Sequence, residues 1–156
     1  MNVKRKSQMQ EKDVANHFNA KTVIASGAFW SAKGDVRSDK FLIECKFTDR
    51  KNYVVTSKVW EKISKEAVKD HLRIPLLIVD IRGTRIVIFN PYDFEDDVTL
   101  PVYHKDIPKS FTLYPELLGY NEFGDYISSI YRFICGEQLN VLKCMCYEDF
   151  EREVLK

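Results

Sequence analysis

The sequence predicts an α/β sandwich around a central mixed β-sheet. Three observations favour this fold class: a strand over 40–47 with alternating side chains, two apolar segments over 74–81 and 84–89, and helical patterns beside them. A chain of 156 residues that is 45% hydrophobic can bury its own core. We assign 1–90 to this core and 91–156 to an acidic C-terminal extension, which could complete the same domain.

The first elements follow from side-chain spacing. Val14, Ala15 and Phe18 form an apolar stripe that predicts a helix over 7–18, and Glu11 lies on the same stripe. A short strand is expected over 21–25. In the strand over 40–47 the side chains alternate between two faces. One face carries Phe41, Ile43, Cys45 and Phe47, and the other carries Leu42, Glu44 and Lys46.

The later elements complete the predicted sandwich. A helix is expected from Thr56 or Ser57 to about residue 70, and the strand over 74–81 is almost wholly apolar, which favours a central position. Beyond residue 90 the pattern predicts a helix that ends near Gly136, a strand over 139–147 and a short final helix. The first of these rests on the helical spacing of Ile127, Ile130, Tyr131 and Ile134.

Charge is distributed unevenly along the chain. Residues 1–85 contain 18 basic and 10 acidic side chains, a net +8, whereas residues 86–156 contain 6 and 13, a net −7. Such an asymmetry predicts that the first part contacts a polyanion. No signal peptide or membrane-spanning stretch is visible, so we expect a cytoplasmic protein, in the host cytoplasm if a phage encodes it.

The cysteines are predicted to be buried thiols rather than disulfides. Zinc is the alternative, but a Cys-x-Cys pair is a poor chelate and no second pair stands at a suitable distance. The four residues are Cys45, Cys135, Cys144 and Cys146.

The residues that can carry chemistry are Gly34-Asp35, followed after eight residues by Glu44-Cys45-Lys46. Glu44 and Lys46 share a strand face, and carboxylate oxygens of Asp35 and Glu44 suit Mg²⁺ or Mn²⁺. Such a metal activates water for phosphodiester hydrolysis, while Lys46 can orient that water or stabilise developing charge. Only the backbone carbonyl of Cys45 could reach the metal. The plainer alternative for Glu44 and Lys46 is a surface ion pair.

This pattern resembles the PD-(D/E)XK nuclease superfamily, which has a restriction-endonuclease-like fold, and within it the Holliday junction resolvases, including phage versions. The resemblance covers roughly residues 7–90. It assigns the metal aspartate to Asp35 and the acid-x-lysine motif to Glu44 and Lys46, and it adds Glu11 and Ser26 as active-site residues. Gly34 replaces the proline of the motif. The resemblance implies a Mg²⁺-dependent endodeoxyribonuclease that acts as a homodimer.

Several basic residues are candidates for DNA contact. Lys33, Arg50 and Lys51 lie beside the motif in sequence, and a stripe on the helix over 57–70 has the spacing of a phosphate track or of a solvated helix face. That stripe consists of Lys58, Lys62, Lys65 and Lys69. Phe29-Trp30 could stack on a base or pack under the sheet.

Three hypotheses follow for the function. The first is a structure-selective endonuclease of the Holliday junction resolvase type, with branched DNA as its partner. The second keeps the chemistry on another substrate, as a restriction, repair or host-DNA-degrading nuclease. The third is a non-catalytic DNA-binding or protein-interaction module on the same fold.

Overall fold

The computed structural model of the chain describes residues 3–18, 21–22, 36–94, 109–120, 126–127, 129–135 and 138–155. The helices are α1 (Val3–His17), α2 (Ser57–Lys69) and α3 (Tyr147–Glu153). The strands are β1 (Lys21–Thr22), β2 (Val36–Arg37), β3 (Phe41–Thr48), β4 (Tyr53–Thr56), β5 (Ile74–Ile81), β6 (Thr84–Phe89), β7 (Ser110–Leu113), β8 (Gly119–Tyr120), β9 (Tyr126–Ile127), β10 (Ser129–Cys135) and β11 (Gln138–Cys146).

Seven of these strands form one mixed sheet in the order β1-β2-β3-β5-β6-β11-β10. The β3–β5 pair is parallel, and every other neighbouring pair in this sheet is antiparallel. The chain crosses between the two parallel strands through β4 and α2, as a parallel connection requires. This confirms the predicted α/β sandwich with a central mixed sheet, and the apolar strand β5 is central as expected.

Helices cover both faces of the sheet, so each face has its own core. The α1-side core joins α1 and α3 to the sheet through residues that include Val14, Ile43, Ile78 and Phe150. The α2-side core includes Trp60 and Ile63 of α2. Both cores are apolar layers, which is why a strand in the middle of this sheet has few polar side chains.

Local sequence explains where α2 begins and ends. The Thr56 side chain accepts a hydrogen bond from the Val59 amide at 3.4 Å, which is the geometry of an N-cap. Trp60, Ile63 and Ala67 are buried at helical spacing and form the core face of this helix. After Lys69 the chain turns through His71 and Leu72, which have φ values of 58° and 56°.

The C-terminal part contains one corrected element. The predicted helix around Ile127–Ile134 is wrong, because β9 and β10 occupy this segment. β10 pairs with β11, and β11 pairs with β6, so β10 joins the main sheet, whereas β9 pairs with β8 in a separate two-stranded sheet. The expected strand over 139–147 and the short final helix are confirmed as β11 and α3. The division at residue 90 remains a sequence-level prediction.

In the described part of the chain, no helix has the length and apolar character needed to cross a membrane.

Candidate active site

The two faces of β3 carry different chemistry. Phe41, Ile43 and Cys45 point into the α1-side core. Glu44 and Lys46 lie on the other face, and Lys46 Nζ is 3.3 Å from Glu44 Oε1. The structure therefore brings the predicted carboxylate and ammonium group together.

Glu44 is unusually buried for a charged residue. Only 9% of its surface is exposed, and its neighbour in the parallel register is the fully buried Leu77. Moving a carboxylate out of water is costly unless a partner compensates. Lys46 supplies that partner while 37% of its own side chain stays exposed. The pair thus joins a buried anion to a cation that reaches solvent, which differs from a plain surface ion pair.

Tyr53 is a third member of this neighbourhood, and the sequence had not singled it out. It lies on β4 and packs against the α2-side core. Burial raises the pKa of the Tyr53 phenol, the charge of Lys46 lowers it and the charge of Glu44 raises it. Both charges therefore act on the phenol. A tyrosine in a short strand of β-forming residues looks like ordinary packing, so only the tertiary structure reveals this proximity.

An ion-pair network fixes β2 beside β3. Arg37 Nε lies 2.9 Å from Asp70 Oδ2, and Arg73 Nη1 lies 2.6 Å from Asp70 Oδ1. Arg73 Nε also donates a hydrogen bond to the Ser38 carbonyl at 2.6 Å. The end of α2 and the start of β5 therefore hold the β2–β3 hairpin in place.

Three predicted site residues, Ser26, Lys33 and Asp35, lie outside the described residues, as do Phe29 and Trp30. Glu11 is partly buried on α1, which packs on the face of the sheet opposite Glu44. The sequence missed its neighbour Gln10, which is only 2% exposed and donates from Nε2 to the Ile78 carbonyl at 3.4 Å.

Cys45 behaves as expected for a core residue. Its side chain is 4% exposed in the α1-side core, and among the described residues no disulfide joins Cys45, Cys144 and Cys146. Burial raises the pKa of the Cys144 thiol, which disfavours the thiolate needed for metal binding.

The predicted DNA-contact residues in the described segments are exposed. Arg50 and Lys51 follow β3 directly, and Lys58 and Lys62 lie on the outer surface of α2. Lys65 of the same stripe instead pairs with Glu61, at 2.6 Å between Nζ and Oε1. Lys65 is therefore engaged in an ion pair, whereas Lys58 and Lys62 make no ion pair with the described residues.

The described residues by themselves do not gather three acidic, histidine or cysteine side chains into a metal cluster. Glu44 provides carboxylate oxygens, which are the donors that Mg²⁺ prefers, so the donor chemistry fits a hard cation. Asp35, the other acidic residue that the sequence predicts as a metal ligand, lies outside the described residues.

No family model and no curated protein sequence matches this chain. Among solved structures, it is similar to Hjc, a Holliday junction resolvase from the archaeal hyperthermophile Archaeoglobus fulgidus. The TM-score is 0.40 and the identity 15%, over 51% of this chain and 72% of that one.

Proposed function

We propose that this protein is a metal-dependent endonuclease that hydrolyses phosphodiester bonds in branched DNA, of the Holliday junction resolvase type. The observation that carries the proposal is the pairing of nearly buried Glu44 with Lys46, at 3.3 Å, on one face of the central sheet. A core position gains little stability from such a pair compared with an apolar residue, so its presence points to chemistry.

Asp35 is the second acidic residue of the proposed site, and the register of β2 supports its inclusion. It is bonded to Val36, which pairs with Ile43, the residue before Glu44. Val36 points into the α1-side core, whereas Arg37 reaches Asp70 at the end of α2. Side chains two residues apart in sequence share a strand face, and Asp35 stands two residues before Arg37; we therefore propose that its carboxylate acts together with Glu44.

Each residue has a distinct proposed role. Asp35, Glu44 and the Cys45 carbonyl would hold Mg²⁺ or Mn²⁺, which when bound polarises a phosphate and activates water. Lys46 orients the attacking water and stabilises negative charge on the phosphate. Glu11 and Ser26 remain proposed active-site residues on the strength of the motif resemblance, and Glu11 would have to reach the site from α1, on the other face of the sheet.

The basic residues give the proposed substrate a path. Arg50 and Lys51 lie just past the strand that carries Glu44, and Lys58 and Lys62 line the helix on the same side of the sheet. Lys33 belongs to the same proposed surface by its position in the sequence. Contacts of this kind bind the backbone and favour readout of shape over base sequence. Two symmetric cuts in a junction would require a homodimer.

The test is a cleavage assay with labelled four-way junctions, flaps, nicked DNA and linear duplex in Mg²⁺ or Mn²⁺. Asp35→Asn, Glu44→Gln and Lys46→Ala should each lower cutting by at least about 100-fold while junction binding survives. Cys45→Ala is a matched control, because the proposed contact of residue 45 is through its backbone.

The outcomes separate the alternatives. Preference for linear duplex would replace junction resolution with restriction, repair or DNA-degrading activity. No cutting of any substrate by folded protein, together with no Mn²⁺ binding that depends on Asp35 and Glu44, would favour a non-catalytic module.

A further inference from the structure

Two exposed basic side chains, those of Lys51 and Arg82, line a cleft at the end of the sheet. Lys51 lies between β3 and β4, and Arg82 lies at the tip of the β5–β6 hairpin; both are exposed. The cleft has a volume of about 520 Å³. Its lining consists of Lys51, Ile81, Arg82, Thr84, Pro115 and Glu116.

This cleft opens on the same face of the sheet as Glu44 and Lys46. Ile81 belongs to the α2-side core and pairs with Thr48, which is four residues after Glu44 on β3. Four residues of strand span about 13 Å at roughly 3.3 Å per residue. The Arg82 amide also donates to the Thr48 carbonyl at 3.2 Å, which ties the hairpin tip to β3. Glu44 and the cleft therefore lie on the same face of β3, at different points along the strand.

The two cations differ from five others that are paired with carboxylates. Lys6, Arg37, Lys65, Arg73 and Arg85 each lie within ion-pair distance of a carboxylate. Neither Lys51 nor Arg82 makes such a pair with any residue in the described ranges. With Glu116 as the acidic residue of the lining, the cleft carries a net charge of +1. Unpaired cations of this kind are suited to bind a phosphate by releasing its counterions.

Arg82 also occupies a backbone conformation that disfavours arginine. Its φ is 50°, and that of Gly83 is 91°, so both turn residues are left-handed. Asparagine or glycine would fit the first of these positions with less strain. Asp80 Oδ1 accepts a hydrogen bond from the Gly83 amide at 2.9 Å and supports the turn whichever residue occupies position 82. Local stability thus gives no reason for an arginine here.

We infer that Lys51 and Arg82 form a binding site for a backbone phosphate of the DNA strand, about 13 Å along β3 from the bond that is cut. This inference rests on the proposed nuclease function and adds a residue, Arg82, to the DNA-binding surface. The guanidinium group binds phosphate oxygens through two parallel N–H donors, and Lys51 adds a point charge. Glu116 weakens the site by repulsion.

The test measures binding of fluorescent four-way junction and duplex DNA across a series of salt concentrations, with Ca²⁺ in place of Mg²⁺ to separate binding from cutting. Arg82→Asn should reduce the slope of log K against log salt by about 0.9 and weaken binding several-fold at low salt. Its melting temperature should equal or exceed that of the parent protein, because asparagine suits a positive φ.

Matched variants sharpen the result. Arg82→Lys should keep the salt slope but lose part of the affinity, Lys51→Gln should lower the slope as Arg82→Asn does, and Glu116→Gln should tighten binding. Lys12→Gln removes an exposed cation on α1, on the opposite face of the sheet, and should leave the slope unchanged. An unchanged slope in Arg82→Asn, or an equal loss in Lys12→Gln, would overturn the phosphate site.

The same experiment distinguishes failure of the phosphate site from failure of the proposed nuclease function. DNA binding that loses slope in Arg82→Asn, from a protein that cuts nothing in Mg²⁺, would keep the phosphate site and reject the nuclease. Cutting that continues with the salt slope of Arg82→Asn unchanged would keep the nuclease and reject the site. Absence of DNA binding by the parent protein would reject both.

Discussion

The two faces of β3 belong to the same eight residues but contribute differently to the protein. Toward α1 and α3, the strand presents Phe41, Ile43 and Cys45, each buried in an apolar core. Toward α2, it begins with fully buried Leu42 and then presents Glu44 and Lys46. One face therefore follows the pattern that stability requires, and the other departs from it midway along the strand.

The difference shows where stability stops explaining the sequence. A buried ion pair is often no more stabilising than well-packed apolar side chains of similar volume. The α1-side face of β3 is filled with apolar side chains, so this strand can accommodate apolar residues. Retention of a carboxylate at position 44 needs another reason, and the proposed phosphodiester chemistry supplies one. Four predictions test this contrast, from the largest expected effect to the smallest.

Truncation on the apolar face should cost the most stability. Ile43→Ala removes most of a fully buried side chain from the α1-side core and should lower the free energy of unfolding by about 3 kcal/mol. Ile43→Val should cost about 1 kcal/mol. Urea unfolding followed by circular dichroism measures both. Cleavage per folded molecule should survive in Ile43→Val. If Ile43→Ala lost less unfolding free energy than Glu44→Gln, the contrast between the two faces of β3 would be refuted.

The ion-pair network beside the site should come next. Asp70→Asn removes the charge that contacts Arg37 at 2.9 Å and Arg73 at 2.6 Å, both in partly buried settings. We expect a loss of about 2 kcal/mol, because the two guanidinium groups lose their shared anion. Thermal unfolding gives the effect, and Asp39→Asn, at an exposed position of the β2–β3 turn, is the control. Equal stability of the two variants would show that the network is not needed to hold β2.

The polar face should respond in the opposite direction. Glu44→Leu replaces the buried carboxylate with an apolar side chain, while Lys46 can turn to solvent. We expect stability within about 1 kcal/mol of the parent protein, on the stabilising side, together with loss of Mn²⁺ binding and of cutting. Denaturant unfolding and calorimetric metal titration provide the two measurements. A loss of several kcal/mol would show that the pair serves the fold.

The smallest effect concerns pH. Because burial raises the pKa of Tyr53 above 10.0, the folded state favours the neutral phenol. The stabilisation is complete below pH 10 and is lost as the pH rises through the folded-state pKa, since the unfolded chain ionises first. Tyr53→Phe should therefore lose less stability than the parent protein between pH 9 and about 11. The comparison requires unfolding free energies of both proteins at each pH. Parallel pH profiles would contradict it.

Residue spacing was sufficient to predict the elements whose own periodicity is clear. The strand expected over 40–47 is Phe41–Thr48, and the helix expected from Thr56 or Ser57 to about residue 70 is Ser57–Lys69. The spacing failed at 127–134, where isoleucines three and four residues apart also suit a strand. A β-hairpin partner and a free edge of the sheet decided the outcome, and neither is visible in a local pattern.

The candidate site divides in the same way. Alternation along one strand placed Glu44 and Lys46 on a common face, because that relation depends on the backbone of two neighbouring residues. The roles of Tyr53, Asp70 and Arg82 cannot be predicted from the sequence, because each depends on residues that are distant along the chain. Asp70 illustrates this: it looks like the end of a helix until Arg37, from β2, is seen to contact it.

By itself, the sequence determined the apolar and polar faces of the elements, the central place of β5 and the identity of the paired acid and lysine. These follow from periodicities of two and 3.6 residues, which local covalent geometry imposes on any chain. Only the tertiary structure decided how deeply Glu44 is buried, that Tyr53 lies near its charge, and that Lys51 and Arg82 share a cleft. Burial and proximity depend on which distant segments pack together, and local periodicity contains no record of that choice.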